Sequence, residues 1–196
     1  MANNPSPSQS PQEFDAIVIG AGFGGMYALH TLREQGLKVR AYDEASGVGG
    51  TWYWNRYPGA RVDYPGGPFY CYTFSEDLLR EFDWPEKQPD QPTVLRYLNF
   101  VADRLDLRRD IQLSTRVTGA AFDEGAQRWE IETSSGEKVR AQFLVCAVGA
   151  LSAAALGHEM IFPLGAADQH VKTGGSGETG NLFRGAPPGN LRIESG

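Results

Sequence analysis

The sequence predicts an α/β fold in which a parallel sheet covered by helices continues into an antiparallel β-meander, followed by a poorly structured segment. Three observations support this prediction. An apolar run at 14–19 leads into glycine and is followed by apolar residues at helical spacing. Three short runs between 116 and 141 are separated by turn sequences, and a second apolar run covers 143–148.

The first elements are a strand and a helix. The run at 14–19 is typical of a strand buried on both faces of a parallel sheet. Met26, Leu29 and Leu32 then recur at three-residue spacing, which predicts one apolar face of a helix. A second short strand over 39–42 completes a βαβ unit.

The turn between this strand and helix carries the spacing G-x-G-x-x-G at Gly20, Gly22 and Gly25, with Phe23 inside it. The first glycine permits the sharp turn, the second lets the main chain approach a pyrophosphate, and the third lets helix and strand pack closely. The helix N-terminus then offers free N–H groups and a positive dipole end to the phosphates. Asp43 ends the second strand, where its carboxylate would accept hydrogen bonds from a ribose diol. The pattern predicts a Rossmann-like dinucleotide site but does not distinguish NAD from FAD.

The middle of the chain predicts one more helix and the meander. Apolar residues share one helical face from residue 94 to residue 105, with Thr93 as the expected N-cap after Pro92. The run at 143–148 is predicted to be a separate last parallel strand, and Gly149 at its end would let the main chain approach a cofactor. The three strands predicted for the meander are 116–122, 128–133 and 138–141.

Composition excludes several function classes. The net charge of −6 and a pI near 5.1 argue against nucleic acid or an anionic membrane as the main partner, because both require a basic surface. Residues 1–12 are polar and rich in Pro and Ser, so we expect a disordered leader rather than a signal peptide or membrane anchor. Cys71 and Cys146 lie in strand-like runs, which favours buried free thiols and a reducing cytoplasm. His158 and His170 have no partners at metal-ligand spacing, and no metal site is predicted.

The stretch GGTWYWNRYPGARVD, at 49–63, is rich in aromatic residues and poor in aliphatic ones. Together with FYCYTFSEDLL, QPTVLRYLNFVADRLDLR, STRVTGAAFDE and FLVCAVGALS, it resembles the N-terminal portion of flavin-containing Baeyer–Villiger monooxygenases. The resemblance covers about residues 14–152, in the order and with the spacings of that family. It implies that the dinucleotide is FAD and that 13–152 is a truncated FAD-binding domain.

The resemblance implies roles for individual cofactor-binding residues. Gly50, Thr51 and Trp52 match a turn whose main chain passes along the ribityl and pyrophosphate groups of FAD. Val117 matches a position whose main chain meets the adenine. Tyr70 matches a tyrosine near the flavin.

Asp63 is the candidate catalytic residue. It matches an aspartate beside the isoalloxazine, which in the family pairs with an arginine from a later domain. Taken alone, an aspartate after a turn is more often a solvated residue or a helix cap. The neighbouring aromatic residues, taken alone, would equally suit a core or interface patch.

The resemblance also implies an activity for the complete enzyme. It would use FAD, NADPH and O2 to convert a small-molecule ketone to an ester or lactone, and no NADPH site is identifiable in this chain. Two alternatives stay open: a non-catalytic flavin-binding fragment or module, and another flavin monooxygenase that hydroxylates nitrogen or oxidises sulfur. The sequence names neither the ketone nor the oligomeric state.

The resemblance ends near Ser152. No tryptophan follows Trp129, so a later fingerprint of the family is not present, and we expect a chain that is incomplete as a catalyst. Residues 165–196 have many glycines and few aliphatic residues, so we expect the atypical tail, 153–196, to be mostly disordered. A second G-x-G-x-x-G at 175–180 has neither a strand before it nor a helix after it, so we interpret it as a coincidence.

Overall fold

The computed structural model describes residues 11–63 and 70–149, together with the main chain alone of 181–184 and 191–192. The first ten residues, the tail glycine spacing and the two tail histidines lie outside the described residues. In the part of the chain that is described, no helix is both long and apolar enough to cross a membrane.

The predicted βαβ unit is confirmed by β1 (Gln12–Ile19), α1 (Phe23–Glu34) and β2 (Val39–Tyr42). The two strands are parallel, with Ile19 opposite Tyr42 at their carboxyl ends. The predicted apolar face of α1 is the buried one. The buried residues of α1 are Gly25, Met26, Leu29 and Leu32.

The described residues contain three further helices: α2 (Thr51–Trp54), α3 (Glu76–Glu81) and α4 (Gln91–Arg104). Helix α4 corresponds to the helix predicted in the middle of the chain, but it begins earlier than predicted. The expectation of Thr93 as N-cap is wrong, because Asp90 caps the helix and its Oδ1 accepts a hydrogen bond from the Thr93 N–H at 3.0 Å. Pro92 lies inside the first turn, where its missing N–H has no cost.

The meander is confirmed, with one change in its last strand. A 3₁₀ turn (Arg108–Asp110) leads to β3 (Ile111–Gln112), β4 (Val117–Asp123), β5 (Arg128–Thr133) and β6 (Lys138–Cys146). Strands β4, β5 and β6 pair antiparallel. The prediction of two separate strands, at 138–141 and 143–148, is wrong because β6 runs through Gln142 without a break. A single polar residue suits an extended strand as well as a loop, and pairing with β1 on both sides of Gln142 keeps β6 continuous.

The strands form one sheet in the order β3-β2-β1-β6-β5-β4-β8. One edge of β6 pairs in parallel with β1, while its other edge pairs first with β5 and then with β7 (Asn181–Arg184). Strand β8 (Leu191–Arg192) pairs antiparallel with β4. These two short segments of the tail therefore lie in the sheet, and the other tail residues beyond 149 lie outside the described residues.

The sheet separates two apolar clusters. Ala16 and Val18 of β1 belong to the cluster that includes α1 and α4, whereas Ile17 and Ile19 belong to the cluster on the meander side. All four side chains are buried. The alternation confirms a strand covered on both faces, and its carboxyl end delivers the first glycine turn to the edge of the sheet.

Candidate cofactor site

A cavity of about 700 Å³ lies at the carboxyl ends of β1, β2 and β6, the edge at which α/β folds bind ligands. The two glycine turns, the end of β2 and the segment after β6 contribute to its walls. Of the residues predicted from the sequence, those that line it are Gly20, Gly22, Phe23, Asp43, Gly50, Thr51, Trp52, Tyr70, Val117 and Gly149. Segments that are far apart in sequence therefore meet around one cavity.

The first glycine turn has no room for side chains. A Cβ on Gly20 would lie 2.5 Å from the Ala147 carbonyl oxygen, and the φ of Gly20 is +106°. A Cβ on Gly25 would lie 1.9 Å from the Gly20 carbonyl oxygen. Gly25 does not line the cavity, so its role is the close helix–strand packing that its place in the motif predicts.

The start of α1 suits an anion. Gly22 is its N-cap and has no side chain to accept from the first N–H groups, and its first turn contains no acidic residue. The free N–H groups and the positive end of the helix dipole therefore face the cavity, next to the glycine turn.

The second glycine turn lies directly against the first. The Gly49 N–H donates to the Ala21 carbonyl oxygen at 2.9 Å. A Cβ on Gly50 would lie 2.9 Å from the Gly22 Cα, and the φ of Gly50 is +53°. The main chain of the two turns therefore forms one surface at Gly22 and Gly50 that carries no side chains.

Asp43 braces the first turn. Its Oδ2 accepts a hydrogen bond from the Ala21 N–H at 2.6 Å, and its Oδ1 accepts one from the Ala45 N–H at 2.8 Å. A carboxylate has about four acceptor positions, so capacity remains for a ribose diol. The sequence predicted only the ligand-facing role of Asp43 and did not indicate these main-chain bonds.

An aromatic wall borders the opposite part of the cavity. Trp52 Nε1 donates to the Tyr70 hydroxyl at 3.1 Å, with the two ring planes at 90°. Phe23 meets Tyr70 edge to face at a centroid distance of 5.4 Å. Burial raises the pKa of Tyr70, so its hydroxyl stays protonated and can donate a hydrogen bond. Trp54 is 53% exposed at the rim of the cavity.

The structure adds cavity residues that the sequence did not indicate. Glu44, Thr115 and Arg116 line the end near Asp43. The Arg116 Nε lies 3.8 Å from the Glu44 Oε2. A pair of opposite charges in segments 72 residues apart leaves no local signal in the sequence. The two side chains meet because the segment before β4 is hydrogen-bonded to the segment after β2, with the Thr115 N–H donating to the Asp43 carbonyl at 2.9 Å.

Asp63 does not line the cavity. Its side chain is exposed, and its main-chain carbonyl accepts a hydrogen bond from Gln88 Nε2 at 3.1 Å. Residues 64–69, which follow it, lie outside the described residues. Its catalytic role stays a prediction.

In the described residues, no group of three or more His, Cys, Asp or Glu side chains is placed to hold a metal ion. The cavity is therefore characterised by main-chain N–H groups, aromatic rings and a braced carboxylate. That set of groups suits a dinucleotide.

Comparison with known proteins agrees with this geometry. Residues 18–82 match a family model described as an NAD(P)-binding Rossmann-like domain. A Baeyer–Villiger monooxygenase from Pseudooceanicola batsensis is 54% identical over 142 residues, which is 72% of this chain and 26% of that protein. The resemblance to Baeyer–Villiger monooxygenases is confirmed.

Other relatives extend the comparison. An acetone monooxygenase (methyl acetate-forming) from Gordonia sp. (strain TY-5) is 56% identical over 144 residues, covering 74% of this chain and 27% of the relative. A phenazine N-monooxygenase from Lysobacter antibioticus is 55% identical over 140 residues, covering 71% of this chain and 26% of the relative. This chain thus spans about a quarter of the length of these family members.

Solved structures of the family share the fold. Cyclohexanone monooxygenase from Rhodococcus sp. Phi1, bound to NADP⁺, superposes with a TM-score of 0.70 at 50% identity, covering 71% of this chain and 26% of that one. An oxidised steroid monooxygenase bound to NADP gives a TM-score of 0.69 at 54% identity, covering 70% of this chain and 26% of that one. The Rossmann-like prediction is confirmed by these structural neighbours.

Proposed function

We propose that this chain is the FAD-binding portion of a Baeyer–Villiger-type monooxygenase. The observation that carries the proposal is the contact between the two glycine turns at Gly22 and Gly50, which leaves a bare main-chain surface at the N-terminus of α1. A diphosphate binds to main-chain N–H groups on this kind of surface, and a Cβ at Gly50 would force the two turns apart.

The residues present fit FAD along the whole cavity. The pyrophosphate would face the N–H groups at the start of α1, and the adenosine ribose would face Asp43. The adenine would lie near Val117, and the isoalloxazine near Trp52 and Tyr70. The bound FAD supplies the redox and oxygen chemistry, while the chain supplies binding, orientation and exclusion of water.

For the whole protein we propose an NADPH- and O2-dependent conversion of a ketone to an ester or lactone. The names of the acetone and cyclohexanone monooxygenases among the relatives support this reaction class. Asp63 remains the proposed catalytic carboxylate, on a loop whose main chain is tied to Gln88. Because this chain spans about a quarter of those relatives, we propose that it does not complete the reaction alone.

A second candidate is oxidation at nitrogen. The phenazine N-monooxygenase is 55% identical to this chain and the acetone monooxygenase is 56% identical. Since the segment is equally similar to both, we propose that it provides the shared flavin-binding function and leaves substrate choice to other parts of the protein. For this chain taken alone, the second candidate function is that of a non-catalytic flavin-binding module.

We further propose a cytoplasmic location. Cys146, in the part of the chain that the structure describes, is a free thiol, which is usual in a reducing compartment. Burial raises the pKa of Cys146 to about 11, so this thiol stays protonated and unreactive at neutral pH.

The test is to purify the chain, titrate it with FAD, and record the visible spectrum before and after NADPH. We expect a yellow complex that dithionite bleaches and NADPH does not. Gly22→Leu should abolish FAD binding. Gly119→Leu is the control, because a Cβ at Gly119 meets nothing within 4 Å.

Two results would contradict the proposal. A chain that stays colourless in excess FAD would exclude flavin binding. Bleaching by NADPH, with ester formed from an added ketone, would show that the chain is a complete catalyst. Product analysis with a phenazine added to the full-length protein separates nitrogen oxidation from ketone oxidation.

A further inference from the structure

Gln91 is a polar residue in the apolar interior, at the first position of α4. It is only 7% exposed and does not line the cavity. Burying an amide has a free-energy cost unless its donors and acceptors find partners. The partners of Gln91 are therefore informative about its role.

Its side chain is bonded to α2. Gln91 Nε2 donates to the main-chain carbonyl of Trp52. Helix α2 has only four residues, so its carbonyls need partners from outside the helix. The neighbouring carbonyl, of Thr51, accepts from the main-chain and side-chain N–H groups of Asn55, both at 2.9 Å. Gln91 supplies the corresponding bond to Trp52 from a separate helix.

Its main chain is bonded to the loop that leads to Asp63. The Gln91 N–H donates to the Ala60 carbonyl at 2.8 Å, and the Val62 N–H donates to the Pro89 carbonyl at 3.1 Å. One buried residue thus joins both ends of the segment between Trp52 and Asp63. That segment includes Trp52 and Trp54 of α2, which line the cavity.

We propose that Gln91 is a positioning residue for the flavin site: its amide fixes α2, and with it Trp52, relative to the loop that carries Asp63. This inference rests on the proposed function. Gln91 touches none of the cavity, so its side chain acts through the Trp52 carbonyl. Loss of the amide would loosen the wall without removing a contact to the cofactor.

The test compares Gln91→Met with wild type in the 196-residue chain. Methionine has nearly the same length but cannot donate to the Trp52 carbonyl. Asn99→Leu is the matched control, because Asn99 Nδ2 also donates from α4 to a main-chain carbonyl, that of Leu95, and likewise lies outside the cavity lining. Gln91→Asn is the second variant, which keeps the amide but shortens its reach.

Two readouts separate positioning from general stability. The first is amide hydrogen exchange without flavin, at the Trp54 and Asn55 N–H groups, which donate to carbonyls of the α2 turn. The second is the dissociation constant and visible circular dichroism of added FAD. We expect faster exchange at both amides and about tenfold weaker FAD binding in both Gln91 variants, as for one lost hydrogen bond. Asn99→Leu should change neither.

Unchanged exchange and unchanged FAD affinity in Gln91→Met and Gln91→Asn would overturn the inference, as would equal losses in Asn99→Leu. Failure of wild type to bind FAD would instead contradict the proposed function. In that case the exchange comparison alone still decides whether Gln91 fixes α2.

Discussion

The indole of Trp52 donates to the hydroxyl of Tyr70 at 3.1 Å, and the two rings are perpendicular. Eighteen residues separate the two positions, and the contact ties the second glycine turn to the chain that follows the aromatic stretch. It also brings both rings to the cavity wall, where the isoalloxazine is proposed to bind.

Tyr70→Phe should destabilise the chain by about 1 kcal/mol, because Trp52 Nε1 loses its acceptor in a half-buried position. Urea denaturation measures this change, and FAD titration should show weaker binding. Tyr57→Phe is the control, since Tyr57 is 64% exposed. Equal effects of the two substitutions would show that the Trp52 contact contributes nothing specific.

Gly50→Ala should cost more stability than Gly36→Ala. Both glycines have positive φ, a backbone conformation that strains any other residue. Only the Gly50 variant adds a clash, with its Cβ at 2.9 Å from the Gly22 Cα, whereas a Cβ on Gly36 meets nothing within 4 Å. The larger loss of unfolding free energy in Gly50→Ala combines this clash with the strain of the Gly50 backbone, whose φ is +53° and ψ −122°, and FAD binding should be lost only in this variant. Retained FAD binding there would exclude the turn contact as the phosphate surface.

Asp43→Asn should weaken the first glycine turn. The carboxylate accepts from two main-chain N–H groups, and an amide offers only one acceptor oxygen in its place. Hydrogen bonds to a charged group contribute about 1.5–3 kcal/mol, so we expect a loss of this order in unfolding free energy.

The control for Asp43 is Asp15→Asn. Asp15 Oδ2 accepts from the Lys38 N–H at 2.7 Å, in an exposed position near the amino end of β2. This control should leave FAD affinity unchanged, while Asp43→Asn should lower it. FMN, which lacks the adenosine, should be less sensitive to Asp43→Asn than FAD. If Asp43→Asn weakened FAD and FMN binding equally, the substitution would act only through the glycine turn and not through the adenosine.

His30 should make stability depend on pH. Burial against Phe74, with a ring-centroid distance of 4.8 Å, lowers the pKa of His30 below 6.5; Arg33 lowers it further and Glu34 opposes the shift. The unfolded chain then binds the proton more readily than the folded chain. The stability contributed by neutral His30 is therefore complete above the unfolded pKa and falls as the pH drops through the folded value.

The measurement is the urea midpoint of wild type and His30→Gln at about pH 7.5 and about pH 5.5, on either side of the unfolded pKa. Wild type should lose more stability than His30→Gln between the two. Equal losses would exclude His30 as the source of the pH dependence.

Local sequence patterns predicted much of the fold. The continuous apolar run of β1, the apolar spacing of α1 and the glycine spacing between them are set by neighbours in sequence, and the structure confirms the strand, the helix and the turn. The start of α4 shows the limit of sequence-based prediction. Asp90 and Thr93 are both good N-cap residues, and only the path of the chain selects Asp90. The continuous β6 was missed for a similar reason, since Gln142 alone suits a strand or a loop.

The sequence by itself determined that a βαβ unit carries a glycine turn and an acidic residue at the spacing typical of a dinucleotide site, because those features depend on spacing along one short segment. Only the tertiary structure decided which atoms meet there. The contact of Gly22 with Gly50, the bond of the Ala21 N–H to Asp43 and the bond of the Gln91 amide to Trp52 join residues 22 to 39 positions apart. Such contacts follow from strand order and chain crossing, which leave no periodic trace in the sequence.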